Sequence, residues 1–177
     1  MKNLITGGAR SGKSRFAEQL ALAHAGPVRY VATAERRAGD GAFAERIARH
    51  QQRRPVHWQL TEADQALASV LATAAAGELL LVDCMGMWLM RFFAADGGFD
   101  QAGWQQQRDA LLAALAATPA SVLLVTNEIG WGVVPLGAET RVFVDELGWL
   151  NQALAAVCQQ VTLVACGQPL CLKGPPL

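Results

Sequence analysis

Eight residues near the N-terminus, Gly-Gly-Ala-Arg-Ser-Gly-Lys-Ser at 7–14, restrict the possible folds more than any other stretch. They follow a short apolar run, "NLIT" (3–6), and open "KSRFAEQLALAHA" (13–25), whose Ala and Leu recur at helical spacing. A turn of the G-x-x-x-x-G-K-S type between a strand and a helix aims successive backbone N–H groups inward. Together with the helix N-terminus they hold phosphate oxygens. Gly7, Gly8, Ala9, Arg10, Ser11, Gly12, Lys13 and Ser14 are therefore expected nucleotide contacts. Lys13 would reach the β- and γ-phosphates and the Ser14 hydroxyl would ligate Mg²⁺. The competing reading is a glycine-rich turn with no ligand.

Such a loop needs a buried strand behind it and a helix in front, and the rest of the chain repeats that alternation. "VRYVA" (28–32), "ELLLVD" (78–83), "SVLLVT" (121–126) and "VTLVAC" (161–166) are continuous apolar runs, suited to strands covered on both faces. Helical patterns fall over 40–51, 62–76, 100–117 and 139–160, and turn residues over 25–27, 38–41, 96–99, 118–120 and 130–137. The expected fold is α/β, of the P-loop NTPase type, with a mainly parallel sheet and helices on both faces. None of the loops is long enough to link two domains, so residues 1–177 are expected to form a single catalytic domain. The tail "KGPPL" is expected on the surface.

Composition narrows the partners. With 15 basic and 15 acidic side chains the chain has no net charge, which argues against a general nucleic-acid binder. It is 52% hydrophobic, yet no apolar run reaches the roughly 18 residues of a membrane span. The N-terminus lacks the apolar core of a signal peptide. Cys84, Cys158, Cys166 and Cys171 form no CxxC pair, so zinc is not expected and reduced thiols in a cytoplasmic protein are.

A carboxylate at the end of a neighbouring strand completes many phosphate-loop sites, and Asp83 after "LLLV" fits, holding Mg²⁺ directly or through water. An N-cap on the following helix is the alternative. A second cluster sits in "ERIARHQQRRPVHW" (45–58), where Arg46, Arg49, Arg53, Arg54 and His57 surround His50 with only Glu45 to offset them. Phe43, Ile47 and His50 share one helical face, so His50 ends an apolar stripe. A structural histidine is one reading. The other is a nucleophile: neighbouring arginines disfavour the imidazolium, and a neutral imidazole can attack phosphorus while the arginines stabilise charge there.

"ITGGARSGKSRFAEQLA", "YVATAE" (30–35), "RIARHQQRRPVHW" (46–58), "LLVDCMGMWL" (80–89) and "LVTNEIGWGVVP" (124–135) occur in order along nearly the whole chain. Together they resemble the bifunctional adenosylcobinamide kinase/adenosylcobinamide-phosphate guanylyltransferase family of cobalamin biosynthesis. The resemblance implies that His50 takes up GMP from GTP as a phosphoramidate. It also implies nucleotide contacts at Ala32, Thr33 and Ala34, at Gln51, Gln52, Arg53 and Arg54, and at Glu62 and Asp83. Glu62 would accept from guanine N1–H and the N2 amino group, or stand as an exposed first-turn glutamate. His57 does not match the histidine position and reads as a strand or turn residue before Trp58. The implied substrates are ATP or GTP with a corrinoid, and the implied assembly is a homo-oligomer, a trimer.

The segment "CMGMWLMR" (84–91) departs from the family pattern C-[LI]-T-x-[WM]-[LV]-[TS]-N, with Gly86 and Arg91 standing where Thr and Asn are usual. Glu128, in "TNEIGWGVVP", would contact water or Mg²⁺, or shape the turn. Two other classes compete: a P-loop small-molecule kinase with no covalent nucleotide, and a nucleotide-binding switch that only changes shape.

Overall fold

Val- and Leu-rich runs form the middle of a seven-stranded sheet in the computed structural model, which describes residues 1–34 and 54–175. The strands are β1 (Lys2–Thr6), β2 (Val28–Ala32), β3 (Gln59–Glu62), β4 (Leu79–Asp83), β5 (Ser121–Val125), β6 (Gln160–Ala165) and β7 (Gln168–Lys173). Their spatial order is β3-β2-β4-β5-β1-β6-β7, and all pairs are parallel except β6 with β7. The expected helix over 40–51, with His50, Gln51, Gln52 and Arg53 at or beside it, lies outside the described residues.

Alternate residues of the strands feed two cores, which is why the runs are apolar without a break. On one face Ile5, Tyr30, Leu81, Val125 and Val164 meet Ala17 and Ala21 of α1 (Lys13–Leu22). On the other, Leu4, Val31, Val82 and Leu124 meet four helices: α2 (Leu67–Ala72), α3 (Met85–Leu89), α4 (Gln101–Ala117) and α5 (Ala138–Val157). A 3₁₀ turn, Met90–Phe92, follows α3 directly. Helices cover both faces, and the fold is the expected α/β arrangement.

Three local differences have clear causes. The helix expected over 62–76 shrinks to α2, because Glu62 ends β3 and the Asp64 carboxylate accepts the Ala66 N–H at 2.8 Å, making a turn first. β3 ("QLTE") and β7 ("QPLCLK") lack the apolar run of a central strand because both lie at the sheet's edges. Pro169, which has no N–H to donate, is tolerated on such an edge. The last helix stops at Val157, where Cys158 turns extended so that Gln160 can begin β6.

Candidate nucleotide site

Parallel pairing puts the C-terminal ends of β1 to β6 on one edge of the sheet, where open α/β sheets form their binding crevices. The register is explicit: Ile5 pairs with Val125, Val125 with Asp83, Asp83 with Ala32, and Ala32 with Glu62. Paired residues point to the same side, so Asp83 and Glu62 both face the side that carries α1. The phosphate loop and Glu62 thus bracket a row of strand ends, four strand spacings or roughly 19 Å apart. Glu62 is exposed and ends a strand, which removes the first-turn reading.

The loop between β1 and α1 is built on its glycines. A Cβ on Gly7 (φ 154°) would collide with the Val164 carbonyl oxygen of β6. One on Gly12 (φ 99°) would lie 3.2 Å from Gly167 Cα. The Gly167 N–H donates to Ser11 O at 2.8 Å and the Ser11 N–H to Gly8 O at 3.3 Å, so the β6–β7 turn closes the loop from outside. The N-cap of α1 is Gly12, which has no side chain to accept from the first turn, and a helix N-terminus of this kind suits an anion. The Lys13 side chain folds back over the loop, its Nζ donating to Gly8 O at 3.0 Å, and the residue is only 6% exposed. Ser14 follows, half-buried.

Asp83 anchors a second group that its sequence context did not reveal. Tyr30, two residues before the end of β2, donates its hydroxyl to Asp83 Oδ2 at 3.1 Å. Arg54 stacks over the same ring, with Cζ 3.7 Å from the centroid. Burial, then the Asp83 charge, pushes the Tyr30 hydroxyl far above the ordinary tyrosine range, while Arg54 pulls the other way. Tyr30 therefore stays protonated and remains a donor to the carboxylate. Of the cationic run, Arg54 is thereby placed beside the Asp83 group, while His57 lies in a turn before Trp58 and is exposed.

Thr33 is fully buried, and its hydroxyl donates to Cys84 O at 2.7 Å, tying the ends of β2 and β4 together. Arg91 Nε donates to Thr33 O at 2.8 Å, and Gln65 Nε2 donates to Arg91 O at 2.8 Å. The Arg91 departure thus braces the 32–34 segment. Gly86 is buried in α3 with room for a Cβ, which would lie 3.7 Å from Phe143 Cζ. Beside Arg91, Asp64, Gln65, Phe93 and Gln107 line a cleft of about 760 Å³.

At the tip of β5 the "TNE" segment joins the phosphate loop. The Glu128 N–H donates to Gly7 O at 3.2 Å, and Glu128 Oε1 accepts from Thr6 Oγ1 at 3.2 Å and Asn151 Nδ2 at 3.3 Å. Asn151 is itself fixed by the Thr126 hydroxyl at 2.7 Å. Neither Thr6 nor Asn151 could be found from spacing, because they lie 122 and 23 residues from Glu128.

With this geometry established, comparison with known proteins is decisive. The family model of cobinamide kinase/cobinamide phosphate guanyltransferase matches residues 3–172. The chain belongs to that family. It is 49% identical over 178 residues to the bifunctional adenosylcobalamin biosynthesis protein CobP of Pseudomonas aeruginosa, covering 100% of both chains. It is 39% identical to the bifunctional adenosylcobalamin biosynthesis protein CobU of Salmonella typhimurium, covering 94% of this chain and 97% of that one. Among solved structures it resembles the RadB recombinase (TM-score 0.52, 16% identity, 92% of this chain and 73% of that one). It also resembles an ATPase of a bacterial type III secretion system (TM-score 0.57, 12% identity), of which it spans 50%. These likenesses carry the fold, that of P-loop NTPases.

Proposed function

We propose that this enzyme phosphorylates adenosylcobinamide with ATP or GTP and then transfers GMP from GTP to the phosphorylated product. The reading rests above all on one observation. The sheet edge carries a phosphate loop, with Lys13 folded over it, and Asp83, which accepts from the Tyr30 hydroxyl while Arg54 stacks on the Tyr30 ring.

In the first step the hydroxyl of the substrate's aminopropanol arm attacks the γ-phosphorus. The loop N–H groups and Lys13 hold the triphosphate and spread its developing charge. In the second step neutral His50 attacks the α-phosphorus of GTP, pyrophosphate leaves, and adenosylcobinamide phosphate displaces His50 to give adenosylcobinamide-GDP. Gln51, Gln52, Arg53 and Arg54 are proposed as nucleotide contacts, and Glu62 as the group that selects guanine. The Ala32–Ala34 backbone lines the nucleotide.

Ser14 and Asp83 offer hard oxygen donors of the kind Mg²⁺ takes together with phosphate oxygens and water. Among the described residues no group of three or more His, Cys, Asp and Glu gathers to hold a metal. That fits an ion which arrives with the nucleotide. When bound, Mg²⁺ supplies neutralisation of phosphate charge.

Residues 1–177 act as one catalytic domain in the cytoplasm; among the described residues no helix is long and apolar enough to cross a membrane. The assembly is a homo-oligomer, a trimer, for which the exposed Trp131, Val133, Val134 and Leu136 offer apolar surface. Incubating the enzyme with adenosylcobinamide, GTP and Mg²⁺ and separating the corrinoids by mass tests the reading. The phosphate should accumulate first and the GDP derivative second. Arrest at the phosphate would leave a simple kinase.

A further inference from the structure

Glu128 belongs to neither the phosphate loop nor the Asp83 group, yet the fold fixes it between them. β5 lies between β1, which carries the loop, and β4, which carries Asp83. The Glu128 main chain is bonded to Gly7, and its Oε1 is held by Thr6 on β1 and Asn151 on α5. Both side-chain donors are neutral, and a glutamine oxygen would satisfy them equally well. A half-buried carboxylate costs more desolvation than an amide, so its charge has a use beyond shaping the turn.

We propose that Glu128 is the proton acceptor of the phosphoryl-transfer step. This rests on the two-step reading above, and the chemistry of the two steps explains why only one needs it. In the first, the attacking group is a hydroxyl. Its oxygen bonds to the γ-phosphorus, the bond from that phosphorus to the β,γ-bridging oxygen breaks, and the nucleoside diphosphate leaves with the electron pair. The hydroxyl proton passes to the Glu128 carboxylate, which releases it to solvent. In the second step the acceptor is a phosphate monoester anion, whose attacking oxygen carries no proton to remove.

The test is a comparison of wild type, Glu128→Gln and Glu128→Asp in two separate assays: phosphorylation of adenosylcobinamide, and guanylyl transfer to preformed adenosylcobinamide phosphate. Glu128→Gln should lose about 10²-fold or more in kcat for phosphorylation, with KM for both substrates within about twofold. It should retain guanylyl transfer, which also reports that the variant is folded, and Glu128→Asp should recover part of the lost rate. Near-wild-type phosphorylation by Glu128→Gln would make the residue structural. Equal loss in both assays, or a change confined to KM, would make it a nucleotide-holding group. Either result overturns the proposal. Wild type that forms no phosphate would instead refute the two-step reading itself.

Discussion

Lys13 and Tyr30 show how much depends on single side chains at the sheet edge. Replacing Lys13 by Ala removes the cation that lies over the loop, and kcat/KM for phosphorylation should fall by about 10² to 10³-fold, measured at saturating Mg²⁺. Tyr30→Phe keeps the ring under Arg54 but loses the hydroxyl that Asp83 accepts, and should cost about 1–3 kcal/mol near neutral pH. Because the folded-state pKa of Tyr30 lies above its unfolded value, the stability it contributes is complete below about pH 10 and is lost as pH rises beyond it. Denaturant titrations at alkaline pH should therefore show a shallower loss for Tyr30→Phe than for wild type. An unchanged slope would show that the fold does not hold this tyrosine protonated. The sequence marks Lys13, Ser14 and Asp83 as candidates because each sits at fixed spacing from a glycine turn or a strand end. Tyr30 was hidden because an aromatic inside "VRYVA" reads as core, and its hydroxyl meets a partner 53 residues away.

At the level of elements, the central strands were legible because burial on both faces demands unbroken apolar runs. The edge strands β3 and β7 were not, since solvent on one flank relaxes that demand. The helix layer opposite α1 is locked by Trp88, Phe92 and Trp104, with Trp104 5.0 Å from the Trp88 ring and 5.2 Å from the Phe92 ring. Trp104 is wholly buried and donates its indole N–H to Glu146 Oε2 at 2.7 Å, joining α4 to α5. Trp104→Ala would open a cavity and remove a donor from a buried carboxylate, costing about 3–5 kcal/mol. Thermal unfolding should drop by about 10 °C or more. A loss below about 1 kcal/mol would mean that the layer repacks around the gap.

For the whole molecule, strand order gathers the candidate residues of the described segments at one edge of the sheet. Crossovers bring β1, β5, β4, β2 and β3 side by side, so the strand ends at Thr6, Val125, Asp83, Ala32 and Glu62 line one edge of the sheet. Alternating strand and helix patterns indicated a parallel sheet, but not which strands would be neighbours, because that order is set by packing between distant segments. Family signatures supplied what spacing could not, above all the role proposed for His50. In the proposed reaction scheme one nucleotide site serves phosphoryl transfer and, through His50, guanylyl transfer. The most direct measurement incubates the wild type and His50→Ala with GTP labelled on the α-phosphorus and counts acid-labile, base-stable label on the protein. Label is expected on the wild type and none on a folded, GTP-binding His50→Ala. A folded, GTP-binding wild type that takes up no label, or a variant labelled equally, would contradict that scheme.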